Sequence, residues 1–135
     1  MIHLPEIFVQ VIPHNEQLYD TVGNYIENNG MGVWDIEISE MSKWEYESLV
    51  LVHELVEMIL TKHRKISWKS IDKFDMGLGK DLSEPGNDKR APYFKEHQFA
   101  TRIEKMLCNE LGIDWNKYDK VISKLKWSPK SKRKN

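Results

Sequence analysis

Cysteine is nearly missing from this chain of 135 residues: Cys108 stands alone, so no disulfide can form within the chain. A reducing, intracellular setting is the simplest expectation. Long apolar runs are missing too. The greasiest window, residues 49–60, is too short and too charged to span a bilayer, so no membrane role is expected. The first residues, MIHLPEIFVQVIPH, have neither the basic start nor the apolar run of a signal peptide. No internal repeat is visible. An excess of one charge is also absent. The formal net charge is -1, which provides no global field for nucleic acid or membrane. The balance is nevertheless local: the last ten residues, KWSPKSKRKN, carry five basic side chains and no acid.

What is present is a chain long enough for one domain with a real core. Residues 7–12 are β-rich and lie between Pro5 and Pro13, as a strand would. Residues 21–27 and 33–39 flank Asn28-Asn29-Gly30-Met31-Gly32, a turn-forming run that predicts a β-hairpin. In its second arm Trp34, Ile36 and Ile38 alternate with Val33, Asp35 and Glu37, the pattern of a sheet with one covered face.

The period then changes. Ser42 and Glu45 have the spacing of a capping box, with Met41 and Tyr46 as a hydrophobic staple, and predict a helix over 43–63. Ser67 caps a shorter helix to about residue 74. Residues 77–91 form the longest loop. A helix over 92–111 follows, ending at Gly112, with Phe99, Ile103, Met106 and Leu107 as its core stripe. Asp114 starts a last helix with Trp115, Tyr118, Val121, Ile122 and Leu125 on its apolar side. The expected fold is α+β: a small antiparallel N-terminal sheet of about three strands packed against about four helices. Residues 1–126 make one domain, and 127–135 a basic disordered tail.

The window LVLVHELVEMIL holds three ionisable residues, His53, Glu54 and Glu57, among nine apolar ones. On a helix, residues four apart share a face, so His53 and Glu57 can converge on one point. Glu54 is rotated from His53 by roughly 100°, outside that convergence but within reach of a water beside it. The logic is that of the H-E-x-x-H zinc motif, two helix ligands and a glutamate base, with Glu57 in place of the second histidine. Zinc accepts a carboxylate oxygen, and the change widens the choice to iron or manganese. Two readings stay open. One is a buried hydrogen-bonded network. The other is a bound divalent cation, which offsets the cost of burying two carboxylates within one turn.

A three-ligand zinc site needs a donor from elsewhere. His97, early in the later helix, is the candidate, with Glu104 and Asp75 in reserve. Glu104 lies about 10.5 Å along the axis from His97, so it suits orienting a ligand better than joining it. Tyr93, four residues before His97, shares its face and could donate to an oxyanion forming on a substrate carbonyl. His14 could line the same cleft. His3 and His63 are assigned no role.

Several segments carry a resemblance: QVIPHNEQLYDTVGNY, WEYESLVLVHELVE, the Phe74-Asp75 pair, EPGNDKRAPY, EHQFATRIEKML and LGIDWNKYDK. Over almost the whole chain up to the basic tail, the sequence resembles a family of small, uncharacterised bacterial and phage-associated proteins. Its HELVE helix is similar to that of minimal zincin-type metallopeptidases. The resemblance implies a zincin-like fold and a cytoplasmic protein of a bacterium or a phage-infected host. It also implies a sheet edge beside the active helix along which a substrate strand can lie. Glu57 departs from the zinc-peptidase pattern.

The leading functional expectation is a peptidase-like metal-dependent hydrolase acting on a peptide or protein. His53, Glu57 and His97 hold the ion and Glu54 shuttles a proton. A second expectation borrows the helix of HD-type metal phosphohydrolases, and needs His14 and a distant aspartate such as Asp119. A third is a phage or host accessory interaction protein with a structural or vestigial metal site. In that case the basic tail (Lys126, Lys130, Lys132, Arg133 and Lys134) would make weak, non-specific nucleic-acid contacts.

Overall fold

The alternation between residues 33 and 39 sets the centre of the sheet. In a computed structural model, which describes residues 6–28, 32–82 and 84–129, β3 (Val33–Ser39) lies between β1 (Glu6–Ile12) and β2 (Gly23–Asn28). Trp34, Ile36 and Ile38 are buried on one face, as their period predicts. Four helices follow: α1 (Trp44–His63), α2 (Trp68–Met76), α3 (Phe94–Glu110) and α4 (Trp115–Ser123). The α+β class, the three strands and the four helices agree with expectation.

The sheet is mixed rather than antiparallel. β2 and β3 pair as the expected antiparallel hairpin, but β1 runs parallel to β3 on its far side. Residue alternation specifies which face of a strand is buried, not which neighbour it takes. The choice is made in the connection after β1. There His14 Nδ1 lies 2.8 Å from Ser39 Oγ, and Gln17 Nε2 donates to Ser39 Oγ at 3.1 Å. These contacts lay the connection across the end of the sheet and carry the chain past β3 to its other edge. The turn residues 29–31, where the hairpin turn is expected, lie outside the described residues.

α1 packs on both the sheet and α3. Leu49, Val50 and Met58 are almost fully buried, each worth about 1.5–3 kcal/mol relative to exposure. Its start differs from the expected capping box: Lys43 is the N-cap and makes no side-chain cap. Instead Glu47 Oε2 reaches back to accept the Met41 N–H at 2.8 Å. The Ser67 and Asp114 caps form as expected, and Gly112, at φ +68°, ends α3 in the left-handed conformation.

The expected core stripe of α3 is corrected more deeply. Phe99 is 41% exposed and Met106 67%. The helix buries Glu96, His97, Ala100, Glu104 and Cys108 instead, and of the expected stripe Leu107 packs partly buried against the core. Ala100, with no side chain beyond Cβ, allows close approach to α1, and the polar residues on either side find partners there. Trp127, expected at the start of the tail, donates its Nε1–H to Gln17 O at 3.0 Å. Residues 130–135, with Lys130, Lys132, Arg133 and Lys134 and their expected nucleic-acid contacts, lie outside the described residues. No helix among the described residues is long and apolar enough to cross a membrane.

Candidate metal centre

Helical spacing puts His53 and Glu57 on the face of α1 that meets α3. His97, one turn into α3, enters the same space. His53 Nε2, Glu57 Oε2 and His97 Nδ1 form a nearly equilateral triangle with sides of 3.2, 3.1 and 3.2 Å. All three residues are buried, and together they form a group that could hold a metal ion. Ligand bonds of about 2.0–2.1 Å place tetrahedral ligands about 3.3 Å apart and neighbouring octahedral ones about 3.0 Å apart. The observed sides fall between these values. The triangle therefore fits one face of either polyhedron, and a donor set of two histidines and a carboxylate suits zinc or iron.

The atoms turned away from the triangle are held as well. His53 Nδ1 is 2.8 Å from Glu104 Oε1, and Glu104 Oε2 accepts the Tyr118 hydroxyl at 2.6 Å. Glu57 Oε1 accepts the Tyr25 hydroxyl at 3.1 Å, which leaves Oε2 for the centre. A carboxylate on the outer nitrogen fixes both tautomer and ring orientation of a ligating histidine. Glu104 thus lies on the outer nitrogen of His53, away from the triangle. His97 is held differently. Gly86, in the 3-10 turn Pro85–Asn87, lies so flat on its imidazole that a Cβ there would come within 2.4 Å of His97 Cγ. Glu84, with about half its side chain exposed, stands 3.9 Å from His97 Nε2.

The electrostatics favour positive charge on His53 and negative charge on Glu57. Burial opposes charge on His53, but the hydrogen bonds to Glu104 and then Glu57 outweigh it and raise its pKa well above the usual imidazole range. Burial also works against ionised Glu57, yet hydrogen bonds from His53 and His97 prevail and bring it down to about 2. Glu54 lacks such partners. Burial pushes its carboxyl well above the carboxylate range, and neighbouring Glu57 adds to this. Among the described residues no hydrogen bond is made to the Glu54 carboxylate. It packs against β2 at Gly23, where a Cβ would meet Glu54 Cγ at 2.7 Å.

The remaining expected residues lie elsewhere. Tyr93 is buried, and its hydroxyl donates to Asp75 Oδ1 at 2.5 Å. It borders the centre only by its ring, edge-on to His97 with centroids 6.1 Å apart. Asp75, a reserve ligand, is committed to Tyr93 and to the Tyr19 hydroxyl at 3.0 Å. His14 is held by Ser39 and Asp20 at the sheet end, and Asp119 is exposed. The two additional ligands that an HD-type site needs are therefore not brought to the triad. Sequence reasoning missed Tyr25, Tyr118, Tyr19, Gly23 and Gly86. Tyr118 was visible only as an apolar position, since periodicity does not show what a phenol oxygen will meet.

No family model matches the chain, and no curated protein or solved structure matches it either.

Proposed function

We propose that this protein is a metal-dependent hydrolase, peptidase-like in its active helix, with His53, Glu57 and His97 holding a divalent ion. Zinc is the first choice, and iron or manganese fit the same donors. The carrying observation is the triangle of donor atoms with sides of 3.1–3.2 Å, contributed by two helices. The ion would supply Lewis acidity to a scissile carbonyl. Glu54, one residue beyond a ligand and without a hydrogen-bond partner of its own among the described residues, would be drawn back to its ionised form beside the ion's charge and would then accept a proton from the attacking water. It then returns that proton to the leaving nitrogen. A peptide or protein segment in extended form is the proposed substrate. Supporting this, β2 is an edge strand and touches Glu54 at Gly23.

The test is elemental analysis of the purified protein beside His53→Ala and Glu54→Gln, with hydrolysis of a mixed peptide pool as the second readout. One equivalent of metal is expected in the parent and in Glu54→Gln, and none in His53→Ala. Only the parent should turn over peptides. A parent protein that takes up no zinc, iron or manganese would refute the reading.

A second reading rests on burial. His53, Glu57 and His97 are 8%, 4% and 8% exposed, which suits an ion with a structural task in an interaction protein. It predicts metal in the parent, no turnover of any peptide, and unfolding on chelation.

A further inference from the structure

β1 differs from the other strands. Its residues from Glu6 to Val11 are all exposed, including Ile7, Phe8, Val9 and Val11 at 37–52%. Among the described residues both of its faces are open, and so is its outer edge, since β3 pairs with the other side. In a parallel ladder alternate residues of a strand bond to the neighbour. Glu6 N donates to Gly32 O, and Ile12 O accepts from Glu40 N. The even-numbered residues of β1 therefore face β3. Ile7, Val9 and Val11 turn their N–H and C=O groups outward. Such an edge invites another strand, and proteins usually blunt it with lysine, proline or a covering element. Within β1 itself there is no proline and no lysine, only Glu6 at one end.

We infer that a second copy of this chain occupies this edge, with two β1 strands pairing antiparallel about a two-fold axis at Val9. The sequence EIFVQVI is nearly self-complementary about that centre. Val9 meets its symmetry mate, Ile7 meets Val11, and Phe8 meets Gln10. The three outward-facing residues then fall opposite one another as hydrogen-bonded pairs, so each outward N–H and C=O of Ile7, Val9 and Val11 is satisfied. Three β-branched residues from each copy form one apolar cluster on a shared face. Charge also permits it: each Glu6 lies opposite an Ile12, and the two glutamates sit at opposite ends of the ladder. The two three-stranded sheets become one of six strands, and neither copy keeps its apolar edge open. The pairing is independent of the proposed metal chemistry.

Sedimentation equilibrium of the full chain at about 100 µM, well above a micromolar Kd, tests it. The expected mass is twice the 16.0 kDa of one chain. Val9→Pro removes an outward N–H while sparing the bonds to β3, and Val9→Lys places like charges across the two-fold axis. Both should sediment as single chains with an unchanged circular-dichroism spectrum. If Val9→Pro proves misfolded, Val9→Lys decides alone. A wild-type mass of one chain overturns the inference, as does a dimer that survives in a folded Val9 variant.

Discussion

The Tyr118 phenol donates to Glu104 Oε2 at 2.6 Å, and the other oxygen of that carboxylate faces His53 Nδ1. α4 thereby reaches the centre through α3 without supplying a ligand. Glu104→Gln and Tyr118→Phe keep the three donor atoms but loosen the orientation of His53. Each is expected to weaken zinc binding by about 10–100-fold. Competition against a chromophoric chelator measures this. Affinities within twofold of the parent would show that Glu104 has no part in holding the ligand.

Gly86 makes the converse test, on His97. A methyl group there would overlap the imidazole, with 2.4 Å to Cγ and 2.5 Å to Nδ1. Gly86→Ala must push either the 3-10 turn or the ring aside. Zinc affinity is expected to fall at least tenfold and stability by about 1–3 kcal/mol, as for an overpacked core. Urea titration and chelator competition on the same preparation separate the two effects.

Gly23 isolates Glu54 from the ligands. A Cβ at this position would sit 2.7 Å from both Glu54 Cγ and Val50 Cγ1. Gly23→Ala is expected to displace Glu54 and abolish turnover while zinc stoichiometry stays at one. Retained turnover in a folded variant would remove Glu54 from the reaction.

Asp75 gives the protein a pH dependence. Burial raises its carboxyl to about 6, although the Tyr93 and Tyr19 hydroxyls pull the other way. A carboxyl raised on folding binds its proton more tightly in the native state. Its stabilising contribution is complete below the usual value of 3.8 and is lost as the pH climbs through about 6. Relative to Asp75→Asn, the parent should gain stability as the pH is lowered from 7 to about 4. Urea midpoints across that range, read for the difference between the two proteins, measure it. A constant difference would show that Asp75 does not titrate there.

The helices and the first two candidate donors were legible because they depend on local spacing. His53 and Glu57 share a face by helical geometry alone, and Ser67 and Asp114 announce their caps. His97 was reachable only through its place early in the later helix, beside the stripe expected to pack inward, since nothing local says which helix packs on α1. The buried face of α3 was misjudged for a related reason. Apolar periodicity pointed to Phe99 and Met106, whereas the helix turns its histidine and glutamates inward because partners wait for them on α1 and its C-terminal end and on α4. Hydrogen bonds between distant residues outweighed hydrophobic pattern there. The place of β1 beside β3 was likewise hidden, because it depends on contacts made by His14 and Gln17 beyond the strand.

His53 and His97 stand 44 positions apart in the chain, yet their ring nitrogens approach to 3.2 Å. A cation between them would act as a reversible cross-link around the whole segment carrying α2 and the long loop. By chain-entropy reasoning, a closure of that length removes about 4 kcal/mol of disorder from the unfolded chain. Where disulfide stapling is denied to a chain with a single cysteine, a coordinated ion could tie the same two helices together and release them again whenever a stronger chelator arrives.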